Sequence, residues 1–141
     1  MNTKSSLRIA AELKNLSEIR RFIQETASAL GFDPAMTHNV PLAVDEAVTN
    51  IIVHGYQCQG GAIEIEVSRE GDALVIRLRD EAAPFDPTNT PLPDLTLPLE
   101  QRSPGGLGIH LIRQIMDEMT HRVTPQGGNE LTLVKRGLGG R

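Results

Sequence analysis

Six of the chain's nine prolines fall in one stretch: Pro84, Pro87, Pro91, Pro93, Pro98 and Pro104. Proline lacks a backbone N–H and holds φ near −65°, so no regular helix or central strand can run through such a segment. The chain must therefore fold as two patterned blocks joined by a long loop. A loop of this length inside a compact unit is either functional or disordered.

Periodicity places the elements on either side. Leu7, Ile9, Ala11 and Leu13 alternate with Arg8, Ala10 and Glu12, which predicts a strand with one buried face. Leu16, Ile19, Phe22, Ile23, Ala27 and Leu30 recur at helical spacing, with Gly31 as a stop. A second helix is expected from about 34 to 56, its apolar stripe carried by Val40, Val44, Ala47, Val48, Ile51 and Ile52. Ile63, Ile65 and Val67, then Leu74, Ile76 and Leu78, alternate on either side of Glu70-Gly71-Asp72, a hairpin. Beyond the loop, Gly108, Leu111, Ile112, Ile115 and Met119 mark a third helix opening at Gly105-Gly106-Leu107-Gly108. A last hairpin is expected near 120–124 and 130–135.

This order predicts an α+β two-layer sandwich, a mainly antiparallel mixed sheet covered on one face by three helices. One domain is expected over 1–136, with a frayed tail at 137–141 and no internal repeat. Val75 and Val134 would make the outer sheet face partly apolar, a possible contact surface.

Composition narrows the function. Hydrophobic residues at 39% and charged residues at 23% of 141 positions describe a folded domain. A net charge of −4 leaves no basic excess to neutralise nucleic-acid phosphates, and no basic run forms a membrane-surface patch. The single Cys58 can form neither an internal disulfide nor a thiolate metal site alone. No apolar targeting segment or membrane span is evident, so a cytoplasmic setting is expected. His38, His110 and His121 lack metal-ligand spacing and read as surface or packing residues; Arg20 and Arg21 could contact an acidic partner, though a solvated helix face is the plainer reading.

Three clusters carry possible chemistry. Glu46, Asn50 and His54 are spaced four apart and share a helix face beside the small Ala43 and Ala47. A carboxylate and an amide there can hold magnesium and a polarised hydroxyl; taken alone, a solvated face with His54 as a cap is the plainer reading. Asp80 continues the inward phase of Leu74, Ile76 and Leu78, where a carboxylate needs a partner such as an exocyclic amine; a turn aspartate is the other reading. Glycines 105, 106 and 108 at a helix start let backbone N–H groups approach an anion, or else act as a hinge.

The order of these clusters resembles the ATPase superfamily that includes gyrase, heat-shock chaperones, histidine kinases and MutL. Glu46-Ala47-Val48-Thr49-Asn50 through His54-Gly55-Tyr56, Phe85-Asp86-Pro87, and Gly128-Asn129-Glu130-Leu131-Thr132-Leu133-Val134-Lys135 resemble, more narrowly, the anti-sigma-factor serine/threonine kinases. The likeness covers nearly the whole chain. It implies a histidine-kinase-type ATPase fold, ATP and Mg²⁺ as cofactors, and phosphorylation of a small anti-anti-sigma (STAS-type) partner. It also implies sequestration of a sigma factor and a homodimer. By the same likeness Glu46 is the general base, Asn50 the magnesium ligand, and Asp80 the acceptor of the adenine amine, with Ala82 packed on the base. Gly106, Leu107 and Gly108 would offer N–H groups to the phosphates, flanked by Gly105 and Ile109, and 84–104 would be a lid. The family's Asp-x-Gly is Asp80-Glu81-Ala82 here, and its Gly-basic-Gly-Leu-Gly is Pro104-Gly105-Gly106-Leu107-Gly108. Two alternatives stand beside the kinase. One is a nucleotide-dependent binding module without catalysis. The other is a histidine kinase fragment, which would need an upstream helix bearing a phospho-accepting histidine.

Overall fold

A computed structural model describes residues 4–89 and 106–137. Five strands form one sheet: β1 (Lys4–Ala10), β2 (Ala62–Glu70), β3 (Ala73–Asp80), β4 (Glu118–Val123) and β5 (Asn129–Lys135). Their spatial order is β1-β2-β3-β5-β4, and all four pairings are antiparallel. Four helices complete the fold: α1 (Leu16–Ala29), a short α2 (Pro34–Thr37), α3 (Val40–Asn50) and α4 (Gly106–Ile115). α3 packs between α1 and α4. The expected two-layer α+β sandwich is the fold observed.

The core fills the space between the layers. Ile63, Ile65, Leu74, Ile76, Leu78 and Leu133 point inward from the sheet and are at most 1% exposed, against Ile19, Ile23, Val44, Val48 and Ile112 of the helices. Gly31, at φ +94°, ends α1 in the left-handed conformation. Arg69 then reaches across from β2, donating to the Leu30 carbonyl at 2.9 Å and lying 4.8 Å over the Phe32 ring.

Several boundaries depart from the periodicity. The single helix expected over 34–56 is three pieces. Asp33 caps α2 by accepting the Ala35 N–H at 3.0 Å. Pro41 then stands where a continuing helix would need an N–H for the Thr37 carbonyl, so the chain turns and restarts as α3. After Asn50, residues Ile51–Gly55 widen into a π-helical turn, closed by Tyr56 N–H to the Ile51 carbonyl at 2.8 Å. Leu13, expected in the first strand, is 54% exposed in a 3₁₀ turn, because β1 ends at Ala10. Met119, assigned to the third helix, belongs to β4 and pairs with Leu133.

The outer sheet face is less apolar than Val75 and Val134 led one to expect. Val75 is 3% exposed. Cross-strand ion pairs occupy this face: Arg79 reaches Glu130 at 2.6 Å and Glu64 at 3.0 Å, Arg77 reaches Glu66 at 3.2 Å, and Arg122 reaches Glu130 at 2.7 Å. Burial alone would raise the Glu130 carboxyl, but hydrogen bonds from Arg122 and Arg79 outweigh it and hold Glu130 below its ordinary value. On the helical side, Arg20 of α1 is tied to Asp45 of α3 at 2.7 Å.

Candidate functional site

The end of β3, the middle of α3 and the start of α4 converge on one side of the core. Ala47, Asn50 and Ile51 from the helical segment, Asp80 from β3, Ile109 from α4, and His121, Asn129 and Leu131 from β4 and β5 line a common cavity. Phe85 and Pro87 of the following loop close it, leaving about 20 Å³, room for a single water. Of two roomier hollows, one of about 430 Å³ lies elsewhere and one of about 340 Å³ shares Asp80 with this cavity, and neither has Glu46 or Asn50 in its wall.

Asp80 is 8% exposed, as its inward phase requires. Its Oδ1 accepts from the Ala82 N–H at 3.0 Å and from Asn129 Nδ2 at 2.9 Å. Burial pushes the Asp80 carboxyl above its ordinary value; those two hydrogen bonds and nearby His121 pull the other way without cancelling it. Asn50 is 7% exposed and lines the same cavity. An amide placed there suits a ligand or ion.

Glu46 is half-buried one turn before Asn50. Gly108 packs directly on it: a Cβ built at Gly108 would stand 2.7 Å from Glu46 Oε2. The glycine-opened helix therefore starts against the candidate base, with its N–H-rich end beside the α3 polar face. Gly106 and Leu107 are the first residues of α4, and Ile109 is 2% exposed in the cavity wall. Gly105, residues 90–104 of the lid expected over 84–104, and residues 138–141 of the tail expected over 137–141 lie outside the described residues. Ala82 is buried, its methyl close to Gly55, where an added Cβ would meet it at 3.3 Å.

Tyr56 fastens the helical segment to the strand end. Its hydroxyl donates to the Ala62 carbonyl and accepts the Glu81 N–H, both at 2.7 Å, and burial raises its pKa. The ring lies so close to Gly61 that a Cβ there would fall 2.3 Å from it. His54 stacks on Phe85, ring centroids 6.0 Å apart.

Two site residues escaped the sequence reading. Asn129 is 5% exposed and bonds Asp80, the Phe85 N–H at 2.9 Å and His121 Nε2 at 2.7 Å. His121, read as an ordinary packing residue, stands in the cavity wall, its Nδ1 3.8 Å from Asp86. Their signal is the sheet order, which sets β5 beside β3 and pairs Asn129 with Asp80.

The described residues contain no cluster of three or more metal-ligating side chains and no helix long and apolar enough to cross a membrane.

Residues 9–135 match the family model described as a histidine kinase-like ATPase domain. The serine-protein kinase RsbW of Bacillus cereus (strain Q1) is 30% identical over 120 residues, 82% of this chain and 75% of that protein. RsbW of Bacillus thuringiensis subsp. konkukian (strain 97-27) matches to the same extent. Among solved structures, the RsbU and RsbW domains of Rv1364c from Mycobacterium tuberculosis share the fold, with a TM-score of 0.64 at 16% identity over 96% of this chain. This chain spans 32% of that one, so the likeness concerns one part of a longer protein. The chain is an ATP-binding serine/threonine kinase and belongs to the histidine kinase-like ATPase domain family.

Proposed function

We propose that this kinase transfers the γ-phosphoryl group of ATP to a serine or threonine on a small anti-anti-sigma protein, and sequesters a sigma factor when that protein is absent. The observation that carries the chemistry is the contact of Glu46 with the glycine-opened start of α4, one helical turn from the buried Asn50 amide. The phosphates sit against the backbone N–H groups opening α4, the adenine amine donates to Asp80, and Glu46 accepts the proton of the attacking hydroxyl. A magnesium ion held by the Asn50 carbonyl oxygen would neutralise phosphate charge. Positioning and electrostatics supply most of the barrier lowering in phosphoryl transfer, which suits so compact a site. The Phe85–Pro87 side of the loop moves outward to admit the base, since 20 Å³ cannot hold one. The partners follow from the likeness to anti-sigma-factor kinases, as do a cytoplasmic setting and a homodimer.

The test incubates the protein with labelled ATP, Mg²⁺ and the anti-anti-sigma protein encoded nearest its own gene. Transfer is expected with wild type and about a hundredfold less with Glu46→Gln, ATP affinity staying within a few-fold. Undiminished transfer by Glu46→Gln removes Glu46 as base. No transfer by wild type, with sigma binding intact, overturns the partner phosphorylation.

A further inference from the structure

The amide of Asn129 has only one orientation. The Phe85 N–H can only donate, and it meets Asn129 Oδ1 at 2.9 Å, so that atom is the carbonyl oxygen. His121 Nε2, 2.7 Å from the same oxygen, must then carry a proton. On the other side, Nδ2 gives one hydrogen to Asp80 Oδ1 at 2.9 Å and the other to the Ala83 and Ala82 carbonyls, at 3.1 and 3.3 Å. Both hydrogens and the carbonyl oxygen are engaged in a side chain that is 5% exposed.

Asp80 inherits that order. Oδ1 already takes two donors, from Asn129 and Ala82, which leaves Oδ2 as the oxygen without a partner among the described residues. We propose that Asn129 is a positioning residue for base selection: by holding Asp80 as a fixed, ionised acceptor, it makes the site prefer a 6-amino purine over a 6-oxo purine. The inference rests on the reading of Asp80 as the group that meets the base. A 6-amino group donates to a carboxylate, whereas a 6-oxo group sets lone pair against lone pair. A carboxyl that takes up a proton can instead donate to the 6-oxo group. Burial already favours that proton, and the Asn129 donor opposes it. Without the amide, Asp80 keeps one donor, from Ala82, and loses the group that fixes its plane.

The experiment measures the affinities of ATP and inosine triphosphate, which differ at the purine 6-position, by calorimetry for wild type, Asn129→Leu and Asp80→Asn. Leucine keeps the branched side-chain skeleton and removes every side-chain hydrogen bond. The ATP-to-ITP ratio is expected to fall about tenfold in Asn129→Leu. In Asp80→Asn, whose amide can present an N–H to a 6-oxo group, the preference is expected to vanish or invert. A purely structural Asn129 would weaken both nucleotides equally, and an unchanged ratio overturns the proposal. If Asp80→Asn shifts the ratio and Asn129→Leu does not, only the Asn129 inference falls. If neither does, the reading of Asp80 falls with it. Should Asn129→Leu not fold, Asn129→Ser, too short to reach Asp80, takes its place with the same expectation.

Discussion

Gly108 leaves Glu46 no room on its α4 side: a methyl group there would stand 2.7 Å from Oε2. The clash falls on the far end of a flexible side chain, so the fold can absorb it, while the geometry proposed for Glu46 as base cannot. Gly108→Ala should melt at or above the wild-type temperature, because alanine favours a helix by about 1 kcal/mol over glycine. If Glu46 is the base as proposed, the phosphotransfer rate should fall about tenfold to a hundredfold, the penalty for displacing such a group by an ångström or so. Thermal melting beside single-turnover transfer checks both.

Asp80 is held buried and ionisable at a cost to stability. Its folded pKa lies above the ordinary value of 3.8, so the folded state binds the proton more tightly than the unfolded chain. Its contribution is therefore most favourable below pH 4 and fades as pH rises through the folded pKa. Asp80→Asn keeps an oxygen for Ala82 and Asn129 but removes the buried charge. Melting followed from pH 7 to pH 4 should show the variant equal to or above wild type at pH 7, with any advantage shrinking on acidification. Calorimetry should show ATP bound at least about tenfold more weakly.

Glu130 has the opposite sign. Its folded pKa lies below the ordinary value of 4.5, so its stabilisation is present above that value and is lost as pH falls through the folded pKa. Glu130→Gln should lose about 1–2 kcal/mol at pH 7, since Arg79 keeps Glu64 and Glu66 while Arg122 is largely exposed. The difference from wild type should narrow below pH 4.5 in urea titrations.

Tyr56→Phe removes both hydrogen bonds that clamp the π-helical turn to Ala62 and Glu81. About 1–2 kcal/mol of stability should go with them, read by urea unfolding. ATP affinity should fall a few-fold, because Glu81 directly follows Asp80.

Much of this site was legible because strand phase is a strict rule. Leu74, Ile76 and Leu78 point inward, so Asp80 had to, and it does. Glu46 and Asn50 were likewise placed together by helical spacing. What escaped depends on pairing between distant segments. Nothing local in 118–135 tells that β5 inserts between β3 and β4, so neither Asn129 nor His121 could be seen beside Asp80. The ion pairs over Val75 need the same register. The π-helical turn hides for another reason: the apolar run Ile51-Ile52-Val53 fits an α-helix as well as a wider one.

The pairing of Asp80 with Asn129 joins positions 49 residues apart in the chain, and it has a consequence for how the protein comes into being. Non-local contacts form slowly, after their loop-closure entropy has been met. During synthesis the Asp80 end of the cavity stays incomplete until β5 has left the ribosome and threaded between its neighbours. A nascent chain lacking β5 has no complete cavity, so a ligand of the proposed site would select for and protect only the finished molecule.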